Sequence, residues 1–227
     1  GVVRIVLENE VRVNLESIFQ LRLAAPAIRH DLSDFLTKRL EQVLRDANIR
    51  YDVIDACFST GGSLLATAQQ SAEARGAPDL LDRPFGEYDL FIISKKSAAL
   101  AAFLETEDGA NLLAGYKRAA NILKAEEKKD GTAIEGEVEP SLFEQDEERA
   151  LHTAIETAVS RADAALEAED FEAAMAALAE LRGPVDAFFE GVQVNAEDEK
   201  LRANRLRLLT SIRAALSRVA DFSKIAG

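Results

Sequence analysis

Residues 201–222 read LRANRLRLLTSIRAALSRVADF, and this stretch decides the fold. On a 100° wheel with Arg202 at zero, Leu201, Leu208, Leu209, Ile212, Ala215, Leu216, Val219 and Phe222 fall inside one arc of roughly 140°. A strand would send successive apolar residues to opposite sides, so the pattern is a helix with one face on a core. Arg202 and Arg213 share one flank, where they are free to meet a phosphate. Arg207 and Arg218 share the other. Arg205 falls inside the apolar arc, and a guanidinium there must be paired, because stranding a buried charge costs about 3–5 kcal/mol. The helix is expected from about Ala196 to Ile225. Asn195 is its expected N-cap, and Glu197, Asp198 and Glu199 place negative charge at the positive end of the dipole.

Working outward, nearly every other segment has the same period. Ile28, Leu32, Phe35, Leu36, Leu40, Val43, Leu44 and Ala47 form one stripe. Leu112, Leu113, Tyr116, Ala119, Ala120 and Leu123 form a second, and Leu151, Ile155, Ala158, Val159, Ala162 and Leu166 a third. A further helix begins near Phe171. Tyr88 to Ile93 resembles a strand in isolation but merges into the alanine-rich Ser97–Leu104. Breaks fall at Pro26, Gly61-Gly62, Gly76 to Pro84, Asp130 to Pro140, Gly183-Pro184 and Gly191 to Asn195. The fold class expected is all-α, a helical bundle in two consecutive helical domains.

The chain has 227 residues, with 48% hydrophobic residues, 27 Lys+Arg and 40 Asp+Glu, a formal charge of −13. That apolar content excludes disorder. Its charge is uneven: −2 over residues 1–100, −16 over 101–200 and +5 over 201–227. Glu135, Glu137, Glu139, Glu144, Asp146, Glu147 and Glu148 surround a Gly/Pro loop, read as a solvated acidic insertion at about 130–148. The single cysteine, Cys57, rules out an intramolecular disulfide and points to a reducing cytoplasm. No apolar run is long enough for a membrane span. Gly1 followed at once by Val2-Val3-Arg4-Ile5-Val6-Leu7 reads as a fold cut from a longer polypeptide.

Searches for catalytic chemistry fail. No glycine-rich phosphate loop or nucleophile elbow is found. His30-Asp31 lacks a partner cluster for a metal phosphohydrolase. Asp52 and Asp55 read as solvated or ion-paired carboxylates, and Phe188-Phe189 as core. Catalytic and metal-binding residues are therefore expected to be none. One polar face stands out: Lys117, Asn121, Lys124 and Lys128 lie within about 60° of each other, opposite the Leu/Ala stripe. Such a face either tracks a phosphate backbone or is simply wet.

Several strings together resemble a known family. Pro184-Val185-Asp186-Ala187-Phe188-Phe189, Val192-Gln193-Val194, Glu197-Asp198-Glu199, Leu201 to Leu206 and Val219-Ala220-Asp221-Phe222-Ser223 resemble the C-terminal region of bacterial glycyl-tRNA synthetase beta subunits. Gly115-Tyr116-Lys117-Arg118-Ala119-Ala120-Asn121-Ile122-Leu123 is similar to the opening helix of that family's anticodon-binding domain. Phe35 to Leu44 with Tyr51 to Ala56 resembles the region before it, and Val3 to Asn9 the end of an HD-like domain. Departures are Gly183, where a second Pro is usual, Gln193 and Asn195 in a usually more apolar stretch, and the acidic segment.

The resemblance implies an end of an HD-like helical domain at 1–24, a helical intermediate domain at 25–105 and a DALR-type anticodon-binding bundle at 106–227. It implies tRNA(Gly) and an alpha subunit as partners in a cytoplasmic tetramer, with no DNA or membrane partner. ATP and glycine would be handled on the alpha subunit, with no cofactor in this chain. Candidate tRNA contacts are Lys117, Asn121, Lys124, Lys128, Arg202 and Arg213, with Arg118 and Arg205 either structural or tRNA-facing. Asn204 joins Asn121 as a possible reader of base edges. The alternatives are a scaffold for subunit association, favoured by the −16 middle section, or the anticodon domain of an arginyl-tRNA synthetase-like enzyme.

Overall fold

The Thr106 hydroxyl starts the helix that organises the second half of the chain. It accepts the Gly109 N–H at 3.0 Å, Glu107 and Asp108 follow in the first turn, and Lys128 and Lys129 occupy the last. Gly131 ends it in the left-handed region at φ 72°. Each device satisfies orphan backbone groups or complements the helix dipole.

The computed structural model describes residues 1–12, 26–58 and 89–226, with side chains of 26–34 outside the description. In chain order the helices are α1 (Val2–Glu8), α2 (Pro26–Asp46), α3 (residues 51–58), α4 (Leu90–Glu105), α5 (Glu107–Asp130), α6 (Asp146–Glu167), α7 (Phe171–Ala179), α8 (Arg182–Gly191) and α9 (Glu199–Ser217). Short 3-10 turns lie at Pro140–Leu142 and Phe222–Lys224. Among the described residues there is no multi-residue strand, so the all-α expectation holds. Ile92 and Ile93 are helical, in α4. The expected breaks at Gly61-Gly62 and at 76–84 lie outside the described residues.

The chain forms two units, one of residues 1–101 with 224–226 and one of residues 102–223. The first is centred on Val3, Val6, Leu40, Leu44, Ile54, Leu90 and Ile93. Asp52 there accepts hydrogen bonds from Arg50 and from the Ala226 N–H, and Asp55 meets Lys224 at 3.7 Å. Burial works to raise the Asp52 pKa, but Arg50 and backbone N–H groups hold it below the ordinary range. Both aspartates are therefore tied down rather than poised as acid and base.

The second unit is a helical bundle. Every member of the α9 arc read from sequence is buried: Leu201, Leu208, Leu209, Ile212, Ala215, Leu216, Val219 and Phe222. They meet Leu112, Tyr116, Ala119 and Leu123 of α5, and Leu151, Ile155, Ala158 and Ala162 of α6, within one core. Tyr116 and Phe222 pack ring to ring at 5.7 Å. The buried alanines leave room for close helix approach, which sets the tightness of the bundle.

Three local expectations are corrected. The last helix begins at Glu199, because Asp198 caps it by accepting the Lys200 and Leu201 N–H groups at 2.8 and 3.0 Å. Asn195 instead donates to Glu126 at 3.0 Å. The break between α7 and α8 falls at Glu180-Leu181 rather than at Gly183-Pro184, while Pro184 takes the first-turn place that its missing N–H suits. The acidic segment is solvated along its outer side, with Glu135, Glu137, Glu139, Glu144 and Asp146 exposed, but it is also docked on the bundle. Phe143 and Glu148 within it are buried, and its Glu139 backbone is held at both ends by Asn204, which accepts the N–H at 2.7 Å and donates to the carbonyl at 3.0 Å.

Candidate nucleic-acid interface

Two of the second unit's arginines, Arg205 and Arg207, bind the acidic segment to the helices. Glu148 is fully buried and accepts from Arg205 Nε at 2.9 Å and from the Glu144 and Gln145 N–H groups at 2.9 and 2.8 Å. Burial is the strongest influence on its carboxyl and favours protonation, yet Arg205 and the two N–H groups together hold its pKa below the usual value. Arg205 also donates to the Gln193 carbonyl at 2.8 Å. It is the structural tie expected from its place in the apolar arc. Arg207 reaches Glu139 at 2.9 Å and the Glu135 carbonyl at 3.2 Å.

Arg202 was expected to be free for phosphate, and it is not. It bonds Glu126, and Asp130 at 2.8 Å. The Arg202 and Asn195 bonds are the main reasons the Glu126 carboxyl is held low. The reason is geometric: α5 and α9 run antiparallel, so the first turn of one faces the last turn of the other. Asn204 is likewise committed to Glu139 and fully buried, which removes it from base reading.

The face of α5 is different. Asn121, Lys124 and Lys128 are exposed and Lys117 is half-buried. Among the described residues, none of the four makes an ion pair or a side-chain hydrogen bond. They extend along about 16 Å of helix. Lys124 and Lys128, spaced i,i+4, repel each other at a cost of a few tenths of a kcal/mol. Ala114 and Ala125 flank them, keeping the surface low.

Two more cations act on other parts of α5. Arg213 is half-buried beside Tyr116, the residue preceding Lys117. Burial raises the Tyr116 pKa, Asp221 adds to the rise and Arg213 opposes it. Arg118 is exposed, with its guanidinium 4.3 Å from the centre of the Phe189 ring and a 3.4 Å bond to the Phe189 carbonyl. Phe189 is therefore half-exposed beneath a cation rather than core, while Phe188 is fully buried. The Arg118–Phe189 contact crosses 71 residues and was invisible to periodicity. Of the positive groups expected to converge, the structure places Arg213 next to the α5 lysine helix and diverts Arg202.

Among the described residues no group of His, Cys, Asp and Glu could hold a metal ion. No described helix is long and apolar enough to cross a membrane.

Comparison with known proteins places the second unit in a family. Residues 112–225 match the family model of the DALR anticodon binding domain. The whole chain is 44% identical to part of the glycine–tRNA ligase beta subunit of Rhodospirillum centenum, covering 29% of that protein. It is 43% identical to the beta subunit of Cereibacter sphaeroides, covering 31%, and 42% identical to that of a Ruegeria species, covering 29%. The chain thus spans under a third of the length of these relatives. The helical bundle of α5 to α9, with its arginine-bound acidic segment and bare lysine face, belongs to the DALR anticodon binding domain family.

Proposed function

We propose that this chain is the tRNA-binding, anticodon-recognising part of a glycine–tRNA ligase beta subunit, with Lys117, Lys124 and Lys128 following the phosphate backbone. Arg213 adds charge beside Tyr116 of α5, and Asn121 offers an amide to a base edge. Attachment of glycine, with its use of ATP, belongs to an alpha subunit in a cytoplasmic assembly. The observation that carries this reading is the uncompensated basic face in a chain of charge −13. Phosphate attraction is screened over about 8–10 Å, so a local cluster outweighs remote acids. Glu126, Asp130, Glu139 and Glu148 of the acidic middle section are paired with Arg202, Arg205 and Arg207, which lowers the local negative charge where α5 and α9 meet the acidic segment.

The test is the affinity for tRNA(Gly) as a function of salt. Each of Lys117→Ala, Lys124→Ala and Lys128→Ala should reduce the log–log slope by about 0.7–0.9 and weaken binding to all sequences alike. A slope near zero, or one untouched by the triple variant, would overturn the proposal.

A further inference from the structure

The Arg118–Phe189 pair lies at the edge of the bundle, and the packing beneath it is exacting. Gly115 has no side chain, and a Cβ there would lie 2.8 Å from Val185 Cγ1. That approach fixes α5 against α8. Arg118 is one turn on from Gly115, and Phe189 one turn on from Val185, so the contact brings the guanidinium over the ring. Phe189 is steadied from the side by buried Phe188, ring centres 5.7 Å apart at 70°. At the start of α8, Arg182 holds Glu107 and Asp108 of α5 at 2.8 and 2.6 Å.

Arg118 shares with Arg149 and Arg213 the absence of a carboxylate partner among the described residues, in contrast to the other arginines of the second unit. Arg161, Arg182, Arg202, Arg205, Arg207 and Arg218 each meet a carboxylate within 4 Å. Arg118 meets none among the described residues, and its polar contact is the long bond to the Phe189 carbonyl. Asn121, three residues on, is its neighbour on the helix surface. Lys117 precedes it.

We propose that Arg118, held over Phe189, is a stacking seat for one unpaired base of a bound RNA, with the Asn121 amide at the base edge and Lys117 on the adjoining phosphate. This rests on the RNA-binding reading above. A guanidinium restrained by an aromatic ring offers a preformed cationic plane to a base, with little rotamer freedom left to lose. Lysine has no such plane, so Arg118→Lys keeps the charge and removes the seat.

The experiment uses the protein and an RNA hairpin carrying a fluorescent purine analogue at successive loop positions, with a fully paired duplex as control. The wild type should quench one loop position. Arg118→Lys and Phe189→Leu should abolish that quench and weaken hairpin binding about tenfold, leaving the salt slope and duplex binding unchanged. If Phe189→Leu alters the helical signal, Arg118→Lys and Arg118→Gln carry the test. Wild-type quench and affinity in the Arg118 variants would overturn the seat while leaving the lysine face intact. Wild-type protein with no salt-dependent hairpin binding would overturn both.

Discussion

Removing the Glu148 carboxylate, buried in the first turn of α6, should strongly destabilise the second unit. In Glu148→Ala, Arg205, only 5% exposed, keeps the Gln193 carbonyl at 2.8 Å and a distant Glu144 carboxylate at 3.9 Å. A buried charge left in that state costs about 3–5 kcal/mol. The freed Glu144 and Gln145 N–H groups lie near solvent and add less, because water replaces the lost bonds. Arg205→Met should cost less than Glu148→Ala. The two N–H groups still hold Glu148 there, and the carboxyl can take up a proton. The double variant should then be at least 1 kcal/mol or so more stable than the sum of the single losses, since contacting charges do not act independently. Urea unfolding followed by far-UV circular dichroism measures all four corners; the chain has no tryptophan to serve instead. Additivity within about 0.5 kcal/mol would refute the buried pair.

The same pair fixes the direction of the pH response. Glu148 has its carboxyl below 4.5 in the folded protein. The folded state therefore binds fewer protons at this site than the unfolded chain, and stability rises with pH through this range. The contribution is complete above about pH 5 and is lost as pH falls through the folded value. The stability gap between wild type and Glu148→Gln should narrow on acidification, and a gap that widens below pH 4 or so would contradict the assignment.

Two further substitutions test how the acidic segment and helix α5 are held. Asn204→Ala removes both bonds to the Glu139 backbone and should cost about 1–3 kcal/mol, with faster amide exchange and proteolysis between residues 131 and 139. Gly109→Ala would put a Cβ 2.0 Å from the Phe103 carbonyl oxygen, a backbone atom. A loss of about 1–3 kcal/mol or more should appear as a lowered Tm.

The sequence alone carried the helices and the core face of α9, because a 3.6-residue period is local and each apolar residue reports its own side. It also carried the burial of Arg205, since a charge inside an apolar arc requires a partner wherever that partner lies. It did not carry the partners. Glu148 lies 57 residues from Arg205, and Asn204 65 from Glu139. No periodicity connects positions so separated, and summed charge treats a docked carboxylate and a solvated one alike. The docking of the acidic segment was not read for that reason, and Arg202 was misread, its wheel position beside Arg213 being right but its acids sitting on another helix.

The choice between lysine and arginine follows the same division of labour. Arginine's planar fork suits a carboxylate fixed in place, and the second unit spends Arg161, Arg182, Arg202, Arg205, Arg207 and Arg218 on such partners. Lys117, Lys124 and Lys128 are point charges on flexible stems, which suit phosphates whose positions vary along a bound strand. A face of arginines at those positions would compete for the abundant glutamates and close on itself. With lysines, the outer surface of α5 keeps its charge available while the chain as a whole remains strongly anionic.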